Sequence, residues 1–311
     1  MSHLYRLEDA QVARPSLVTI GVFDGVHRGH QQLITRLVAT ARQQRALAVV
    51  LTFFPHPDVV LSGKPQERYY LSHPDERAAL LTGLGVDLVI TQTFDDQLRQ
   101  IRAADYVVNL HEHLNLRELW VGADFALGYQ REGNVTFLRQ QGERYGFRVQ
   151  TVDLVAQGAD GSIISSSAVR ASLRAGQVRQ AAQWLGRSYA LAGQVVHGDA
   201  RGRTIGFPTA NVAVWEEQVL PAYGVYAGWA TLGSERFMAV TNVGVRPTFG
   251  GQQIRVEPHL LDFDRDIYGQ TLRVTFEERL RGEQRFNGLD ALKAQLARDV
   301  QAARAYLQAN S

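Results

Sequence analysis

Apolar residues in the first half of the chain follow two different spacings. Continuous apolar runs, typical of strands buried on both faces of a parallel sheet, occur at residues 16–23, 46–54, 86–90, 119–121 and 147–155. Apolar residues at helical spacing lie between them, at residues 29–45, 72–83, 103–110 and 134–145. We expect Ser72 to begin the second of these helices, with Asp75 in the reciprocal capping position. The alternation predicts an α/β domain, a parallel sheet with helices on both faces, which ligands enter at the carboxyl ends of the strands.

The spacing changes after residue 187. A polar loop near residues 158–161 and two short helical patterns that end at Leu185 come first. Short β-like runs separated by glycine-rich turns then follow, at residues 191–196, 224–232, 238–242, 255–263 and 271–280. They predict a small antiparallel β-barrel, and the helical spacing over residues 289–308 predicts a final helix packed on it. We therefore expect one domain at residues 1–186 and a second at residues 187–311.

The composition narrows the class of protein. The chain has 311 residues, no cysteine, and a net charge of +2 from 33 basic and 31 acidic residues. The missing cysteines exclude a disulfide framework, a thiolate metal site and a thiol nucleophile, and the balanced charge does not predict a nucleic-acid or membrane surface. No apolar segment is long enough for a signal peptide or a membrane span, so we expect a soluble cytoplasmic protein. The sequence leaves the oligomeric state open, including weak self-association.

Residues 21–30 carry the strongest local pattern, Gly-Val-Phe-Asp-Gly-Val-His-Arg-Gly-His. His27 and His30 fall where the first apolar run ends and the first helical pattern begins. Both imidazoles can donate hydrogen bonds to phosphate oxygens there, and the start of the helix adds its partial positive charge. Gly25 and Gly29 let the backbone approach a nucleotide closely. These residues indicate a triphosphate site, although two exposed histidines on a strand-to-helix turn fit the same spacing.

The segment resembles the nucleotidylyltransferase superfamily, which is marked by His-x-Gly-His after the first strand. The longer string is similar to the adenylyltransferase half of the bacterial bifunctional riboflavin kinase/FAD synthetases. This resemblance implies a Rossmann-like first domain in which His27 and His30 are catalytic. It also implies ATP contacts for Phe23, Asp24 and Gly25.

Two more segments support the resemblance on the flavin and nucleotide sides of this site. Residues 52–57, Thr-Phe-Phe-Pro-His-Pro, resemble the family's flavin-side segment and imply flavin contacts for Phe54, His56 and Pro57. A histidine between two prolines also fits a simple end to an edge strand. Val-Gly-Ala-Asp-Phe resembles a second family element and implies an ATP contact for Asp124, which as a lone residue fits a cap or turn equally well.

A serine-rich segment completes the first half of the resemblance. Residues 165–170, Ser-Ser-Ser-Ala-Val-Arg, are similar to the family's Ser-Ser-Thr-x-Ile-Arg signature, whose hydroxyls and arginine engage ATP phosphates. The implied ATP-binding residues are Ser165, Ser166 and Ser167, with Arg170 as a catalytic residue. Serines alone also fit an ordinary helix N-cap, but an arginine one turn into a helix opposes the dipole unless an anion binds there.

The second half resembles riboflavin kinases. Residues 206–211, Gly-Phe-Pro-Thr-Ala-Asn, are similar to the kinase signature in which Thr209 and Asn211 hold the magnesium of MgATP. Hard oxygen ligands of this kind are those that Mg²⁺ prefers, although a turn after the proline is the plain alternative. The resemblance adds Gly198 and Arg203, in the preceding glycine-rich loop, as ATP contacts.

Residues 255–263 resemble the kinase segment that carries the catalytic carboxylate, which implies that Glu257 takes the proton of the ribityl hydroxyl. Asp262 and Tyr268 are then expected beside the nucleotide. The segment before the last helix resembles the flavin-holding part of the kinase, with flavin contacts implied for Arg281, Gln284 and Phe286. Phe286 also fits a hydrophobic staple for that helix.

The resemblance covers essentially the whole chain. It implies a bifunctional enzyme that phosphorylates riboflavin with ATP to FMN and then adenylylates FMN with a second ATP to FAD, with Mg²⁺ in both steps. Leu127 stands where the family has phenylalanine, and Ser167 where it has threonine. Two rival functions remain at this point: a nucleotidylyltransferase with another acceptor, and a flavin-binding regulator that has lost one activity.

Overall fold

The computed structural model describes residues 2–63, 68–152, 161, 163–198, 202, 205–248 and 251–310. The packing of Cα atoms divides the chain into two compact units. The first comprises Met1–Gln66 and Ser72–Ser165, and the second comprises Glu67–Leu71 and Ser166–Ser311. The domain boundary at residue 187 stays a prediction, because compact packing alone does not show which segment folds independently.

A parallel sheet forms the centre of the first unit. In chain order its elements are β1 (Ser2–Leu4), β2 (Ser16–Ile20), α1 (Arg28–Gln43), β3 (Leu47–Phe54), α2 (Pro57–Ser62), α3 (Pro74–Gly83), β4 (Leu88–Thr93), α4 (Ala103–Leu114), β5 (Leu116–Gly122), β6 (Ala126–Leu127), β7 (Gly133–Asn134), α5 (Val135–Tyr145) and β8 (Arg148–Val152). The sheet order is β1-β4-β3-β2-β5-β8, and every neighbouring pair is parallel. The chain adds β3 and β4 on one side of β2 and β5 and β8 on the other, which makes β2 the switch point where α/β sheets bind ligands. The predicted α/β architecture is confirmed.

The central strand shows why the apolar runs are continuous. Every residue of β2 is buried, and adjacent residues face opposite sides of the sheet, with Leu17 in one apolar cluster and Val18 in another. Helix α1 covers the Leu17 side with Leu33 and Leu37, as its helical spacing predicts. The two-sided core therefore fixes the end of β2, from which the histidine segment continues.

The start of α3 differs from the prediction. His73 is the N-cap, Pro74 is the first helical residue, and the Asp75 N–H donates to Nδ1 of His73 at 3.4 Å. Ser72 instead donates its N–H and its hydroxyl to Oδ1 of Asp24, at 3.2 and 3.3 Å. A first-turn proline has no N–H to satisfy, which favours a cap directly before it. The prediction that Ser72 begins this helix is therefore wrong.

An antiparallel sheet forms the centre of the second unit. In chain order the described elements are α6 (Ser166–Arg174), α7 (Val178–Leu185), β9 (Tyr189–Val196), β10 (Asn211–Val214), β11 (Gly224–Leu232), β12 (Glu235–Thr248), β13 (Gly251–Leu260), β14 (Thr271–Phe276), β15 (Glu278–Arg281) and α8 (Leu289–Ala309). The sheet order is β10-β9-β14-β11-β12-β13, and β15 also pairs with β11. The Ala210 N–H donates to the Pro258 carbonyl at 2.9 Å, which brings the two ends of the sheet together. The sheet is thus a nearly closed barrel, as predicted.

Helix α8 packs on this barrel, which confirms the prediction for the end of the chain. Ala303 and Leu307 of α8 share an apolar cluster with Val225 and Ala227 of β11. The short strand β10 was not predicted, and the predicted run over residues 271–280 is two strands, β14 and β15. No helix within the described residues has the length and apolar character needed to cross a bilayer.

Candidate active sites in the two units

A cavity of about 530 Å³ lies at the carboxyl ends of β2, β3 and β5 in the first unit. Several aromatic rings line it, which suits a planar ring system. The aromatic residues that line it are Phe23, Phe53, Phe94, Tyr106 and Phe125, and Leu127 lines it too. The substitution at Leu127 removes one aromatic surface from the family pattern, but the other five rings still line the cavity together with aliphatic side chains.

The loop between β2 and α1 is held in an unusual backbone conformation. Phe23, Gly25 and Val26 have φ values of 51°, 75° and 43°, a region that residues other than glycine rarely adopt. Asp24 is buried and accepts both hydrogen bonds from Ser72, while the Gly25 N–H donates to the Ser72 hydroxyl at 3.1 Å. The Asp24 carboxylate therefore fixes the loop, and its ATP contact stays a prediction, as does that of Gly25.

The two predicted histidines lie together at the start of α1. Nδ1 of His27, the N-cap, accepts the backbone N–H of His30 at 3.4 Å. An acceptor Nδ1 in a neutral imidazole leaves the proton on Nε2, which can donate to a ligand. The rings of His27 and His30 stack with their centroids 3.6 Å apart, and His30 lines the cavity.

The surroundings of His30 favour its neutral form. Burial is the main cause that places the pKa of His30 well below its usual value, and the neighbouring His27 and the charge of Arg77 lower this pKa further. The edge of the Phe23 ring packs against His30 with centroids 5.1 Å apart. At neutral pH His30 therefore offers an anion a hydrogen-bond donor rather than a full positive charge.

The predicted flavin side of the site continues from β3. His56 is the N-cap of α2, where its Nδ1 accepts the Asp58 N–H at 3.0 Å, and Pro57 is the first helical residue. Because β3 lies between β2 and β4, the alternative that His56 merely ends an edge strand is wrong. His56 and Pro57 line the cavity, and Phe54 precedes them at the end of β3, outside the lining.

Asp124 also lines this cavity, at the start of the loop that contains Leu127. Nη2 of Arg131 donates to the Asp124 carbonyl at 2.9 Å. Glu132 accepts the Ala103 N–H at 2.8 Å and thereby caps α4. A Cβ at Gly128 would lie 2.6 Å from the Ala103 backbone, so only glycine allows this approach. The loop is therefore pinned to the start of α4.

The serine-rich segment lies at the start of α6. Ser166, Ser167 and Arg170 belong to this helix, and Ser165 immediately precedes it. Arg170 is buried within the second unit, where its Nε donates to the Tyr69 carbonyl at 2.7 Å and its guanidinium carbon lies 4.1 Å from the centroid of the Tyr69 ring. The carbonyl and ring of Tyr69 fix the orientation of this guanidinium. The phosphate-binding roles of the segment stay predictions.

The barrel of the second unit holds a cavity of about 530 Å³ that contains the predicted kinase base. Glu257 of β13 lines it, with Oε1 3.4 Å from Nη1 of Arg255 and Oε2 3.5 Å from Nδ2 of Asn242. Both contacts are long for hydrogen bonds, so they orient the carboxylate but leave it able to accept a proton. Thr209 and Asn211 line the same cavity.

Arg281, Gln284 and Phe286 also line this cavity, as the flavin prediction requires. The guanidinium of Arg281 forms a fork with Asp299 of α8, with Nε 3.0 Å and Nη2 2.8 Å from Oδ2. Asp299 is buried and also accepts from Nε2 of Gln295 at 2.8 Å. The charge of Arg281 is thus neutralised by α8, and its contact with the flavin stays a prediction.

Phe286 does not occupy the staple position of α8. The N-cap of this helix is Gly288, so the residue that a staple requires is Asn287. Phe286 lies one residue earlier and faces the cavity, with the guanidinium carbon of Arg281 5.7 Å from its ring centroid. This geometry favours the flavin prediction over the staple.

The barrel also holds a smaller cavity of about 230 Å³ beside the one that Glu257 lines. Thr209 and Asn211 line both of these barrel cavities. Gly198 and Tyr268 line the smaller cavity, as the ATP prediction requires. The Tyr268 ring stacks on His197, with centroids 3.8 Å apart, which leaves an aromatic surface at this cavity. The two predicted magnesium ligands therefore lie where two adjacent cavities meet.

Two predicted ATP contacts are not placed at these cavities. Asp262 lies in the left-handed region with φ 57°, and its carboxylate accepts hydrogen bonds at 2.9 and 3.0 Å from Arg304 of α8. The hydrogen bond from Arg304 is the main cause that lowers the pKa of Asp262. Asp262 does not line either cavity, and its nucleotide contact stays a prediction; Arg203 lies outside the described residues.

Arg77 is a buried charged residue beside the cavity of the first unit that the sequence analysis did not identify. It belongs to α3, is fully buried, and donates from one nitrogen to two strand-end carbonyls beside the cavity. Arg77 precedes Leu81 by one helical turn, which places a charged residue on the buried face of α3. An arginine on the predicted buried face of a helix is the sequence signal that could have identified Arg77.

Comparison with known proteins matches a different family model to each half of the chain. The FAD synthetase family model matches residues 9–168, and the riboflavin kinase family model matches residues 185–307. The two family models therefore define a class of flavin-nucleotide transferases, with a FAD synthetase half followed by a riboflavin kinase half.

Relatives match along nearly the whole chain. Bifunctional riboflavin kinase/FMN adenylyltransferases of Escherichia coli (strain K12) and Listeria monocytogenes are 40% identical over 293 residues and 37% identical over 291 residues, and each alignment spans 93% of this chain and 92% of the relative. A solved structure from Streptococcus pneumoniae, described as a macrolide-efflux protein, is 31% identical with a TM-score of 0.87, over 97% of this chain and 98% of that one. The chain belongs to the family of bifunctional riboflavin kinase/FMN adenylyltransferases.

Proposed function

We propose that the second unit transfers the γ-phosphate of ATP to riboflavin, which gives FMN and ADP. The first unit then transfers the adenylyl group of a second ATP to FMN, which gives FAD and pyrophosphate. The observation that carries this proposal is the match of one family model for each activity to its own half of the chain, each half with its own cavity. All substrates are small molecules, and a cysteine-free enzyme that uses ATP twice fits a reducing cytoplasm.

In the kinase step, Glu257 takes the proton of the terminal ribityl hydroxyl as its oxygen attacks the γ-phosphorus and ADP leaves. Glu257 lines the larger barrel cavity, and Thr209 and Asn211 lie where this cavity meets the smaller one. This arrangement supports riboflavin in the larger barrel cavity and ATP in the smaller one. Arg281 and Phe286 close the flavin side.

The donors at this junction fit magnesium. A threonine hydroxyl and an asparagine amide oxygen are hard ligands of the kind that Mg²⁺ combines with phosphate oxygens and water. Thr209 and Asn211 would hold the ion, which neutralises charge on the phosphates when it is bound. The Gly198 backbone lies against the Asn211 side chain, where a Cβ would overlap that amide.

In the adenylyl step, a phosphate oxygen of FMN attacks the α-phosphorus of ATP, and pyrophosphate leaves with the electron pair of the broken bond. His27 and His30 donate hydrogen bonds to the phosphates and so stabilise the negative charge that shifts onto the leaving group. Phe23 and Asp124 line the same cavity and support a nucleotide there, while His56 and Pro57 support the flavin. For Arg170 and the serines beside it we propose contacts with ATP phosphates, as the family signature implies.

The direct experiment incubates the purified protein with riboflavin and MgATP and separates the flavins by chromatography over time. FMN should appear first and FAD should follow, and supplied FMN should give FAD without riboflavin. If no FMN forms, the kinase proposal is wrong. FMN that accumulates without FAD would instead exclude the adenylyltransferase.

A further inference from the structure

One buried arginine connects the two strand ends that border the cavity of the first unit. Nη1 of Arg77 donates to the Val22 carbonyl at 2.9 Å, to the Phe53 carbonyl at 3.0 Å and to the Thr52 hydroxyl at 3.1 Å. The Thr52 hydroxyl in turn donates to the Val22 carbonyl at 2.7 Å. A single guanidinium nitrogen thus joins the chain beyond β2 to the end of β3.

Each of these carbonyls belongs to a segment that leads to a proposed substrate contact. Val22 begins the loop that continues to His27 and His30, and Phe53 is followed within three residues by His56. Val22 and Phe53 both line the cavity. The separation between the nucleotide side and the flavin side of the cavity therefore depends on hydrogen bonds to Arg77.

Charge gives these hydrogen bonds unusual rigidity. Bonds from a guanidinium are charge-assisted, and a buried site without competing water strengthens them. A lysine places one ammonium at the end of a flexible stem, whereas the guanidinium is planar and holds its donors in fixed directions. Stability alone gives little reason to bury a cation, because well-packed apolar side chains are often as stable.

The same charge faces His30. The groups that set the protonation of His30 are the stacked ring of His27, the guanidinium of Arg77 and burial, and the Phe23 ring packs on the remaining side. Arg77 and His27 both disfavour a second positive charge at this position. Arg77 therefore acts on the geometry of the loop and on the charge of His30.

We propose that Arg77 is a positioning residue for adenylyl transfer, which holds the histidine loop and the end of β3 in one geometry through the Val22 and Phe53 carbonyls. This proposal rests on the FMN adenylyltransferase activity proposed above. Arg77 thereby sets the gap between the loop that carries the proposed nucleotide contacts and the strand end that leads to the proposed flavin contacts. A shift of about 1 Å in that gap is enough to lower the rate about 100-fold.

The test compares Arg77→Met and Arg77→Lys with Arg42→Met, a control at an exposed arginine of the same unit. FMN-to-FAD kinetics, riboflavin phosphorylation by the same chains and the NMR titration of the His30 imidazole are measured for each. Arg77→Met should lower kcat for FAD formation about 100-fold, leave the kinase within about twofold, and move the titration of His30 to higher pH. Arg77→Lys should keep the wild-type titration of His30 and recover only part of kcat, and the control should match the wild type.

A folded Arg77→Met chain with wild-type kcat, or with a wild-type titration of His30, overturns the proposal. If Arg77→Met does not fold, Arg77→Lys decides: full wild-type kcat in this variant overturns the proposal, and a reduced kcat with an unchanged His30 titration supports it. If the wild-type chain makes no FAD from FMN, the proposed function has failed. The titration then still shows whether Arg77 acts on His30.

Discussion

The imidazole rings of His27 and His30 lie face to face, with centroids 3.6 Å apart and planes 19° apart. Stacked rings this close cannot both carry a positive charge without strong repulsion. Burial is the main cause that lowers the pKa of His30, followed by His27 and Arg77. The pair therefore enters the reaction with at least one neutral ring. The low pKa of His30 also makes the free energy of unfolding depend on pH.

We predict that acid destabilises the first unit through His30. The pKa of His30 in the folded protein lies below its usual value of 6.5, so the unfolded chain binds more protons as the pH falls below 6.5. The free energy of unfolding should fall over this range by at most about 1.4 kcal/mol per pH unit from this residue. His30→Gln should remove that part of the slope.

Urea unfolding of the wild-type chain and His30→Gln between about pH 5 and pH 8 measures this effect. The wild type should lose stability faster than the variant on the acid side. If the free energy of unfolding falls equally steeply with decreasing pH in both chains, His30 titrates in the folded protein as it does in the unfolded chain.

Glu257→Gln should separate the two activities. The amide keeps the shape of the side chain in the barrel cavity but cannot take the ribityl proton, so riboflavin phosphorylation should fall about 100-fold or more. Supplied FMN should still be converted to FAD at the wild-type rate, because the histidines lie in the other unit. Glu235→Gln is the matched control, since Glu235 lies on the neighbouring strand β12 and pairs with the exposed Arg265. An equal loss in both variants, or a loss of FAD formation, would contradict separate sites.

Asp299→Ala should destabilise the second unit and weaken flavin binding together. Removing one partner of a buried ion pair costs about 3 to 5 kcal/mol, because Arg281 is left charged without its carboxylate. The freed guanidinium can also move into the cavity that it lines, which should raise the dissociation constant for riboflavin.

Thermal unfolding and quenching of flavin fluorescence measure the two effects of Asp299→Ala. Arg304 lies on the same helix as Asp299 and forms an exposed ion pair with Asp262. Arg304→Ala breaks this exposed pair and should change stability far less. The double variant Arg281→Met with Asp299→Leu should regain most of the stability and little of the flavin affinity. Full recovery of affinity would show that Arg281 does not hold the flavin.

The order of the elements could be predicted because hydrophobic spacing is a local property. The five buried residues of β2 and the apolar stripe of α1 are consequences of facing a core, and both are visible along the chain. Motifs likewise predicted His30 and His56, which line the cavity at the carboxyl ends of the parallel strands, and Glu257, which lines the barrel cavity.

Side-chain partners that are distant in sequence could not be predicted. Ser72 and Asp75 have the spacing of a capping box, yet the partner of Ser72 is Asp24, 48 residues earlier in the chain. Arg281 fits a flavin ligand by motif, but its charge is taken by Asp299, 18 residues later. Spacing along the chain contains no information about such pairs, since the fold alone brings them together.

Gly228→Ala should disrupt the barrel and abolish the kinase. Gly228 is in the middle of β11, where a Cβ would overlap the Thr275 carbonyl, a backbone atom that cannot move without breaking the sheet. Gly282→Ala is the matched control in the same unit, because a Cβ there meets only a side-chain nitrogen of Arg279, at 3.8 Å. Circular dichroism and riboflavin phosphorylation should show loss in the first variant and little change in the second. Because overlap with a backbone carbonyl cannot be relieved by a rotamer change, a folded and active Gly228→Ala chain would mean that β11 and β14 are farther apart than this structure places them.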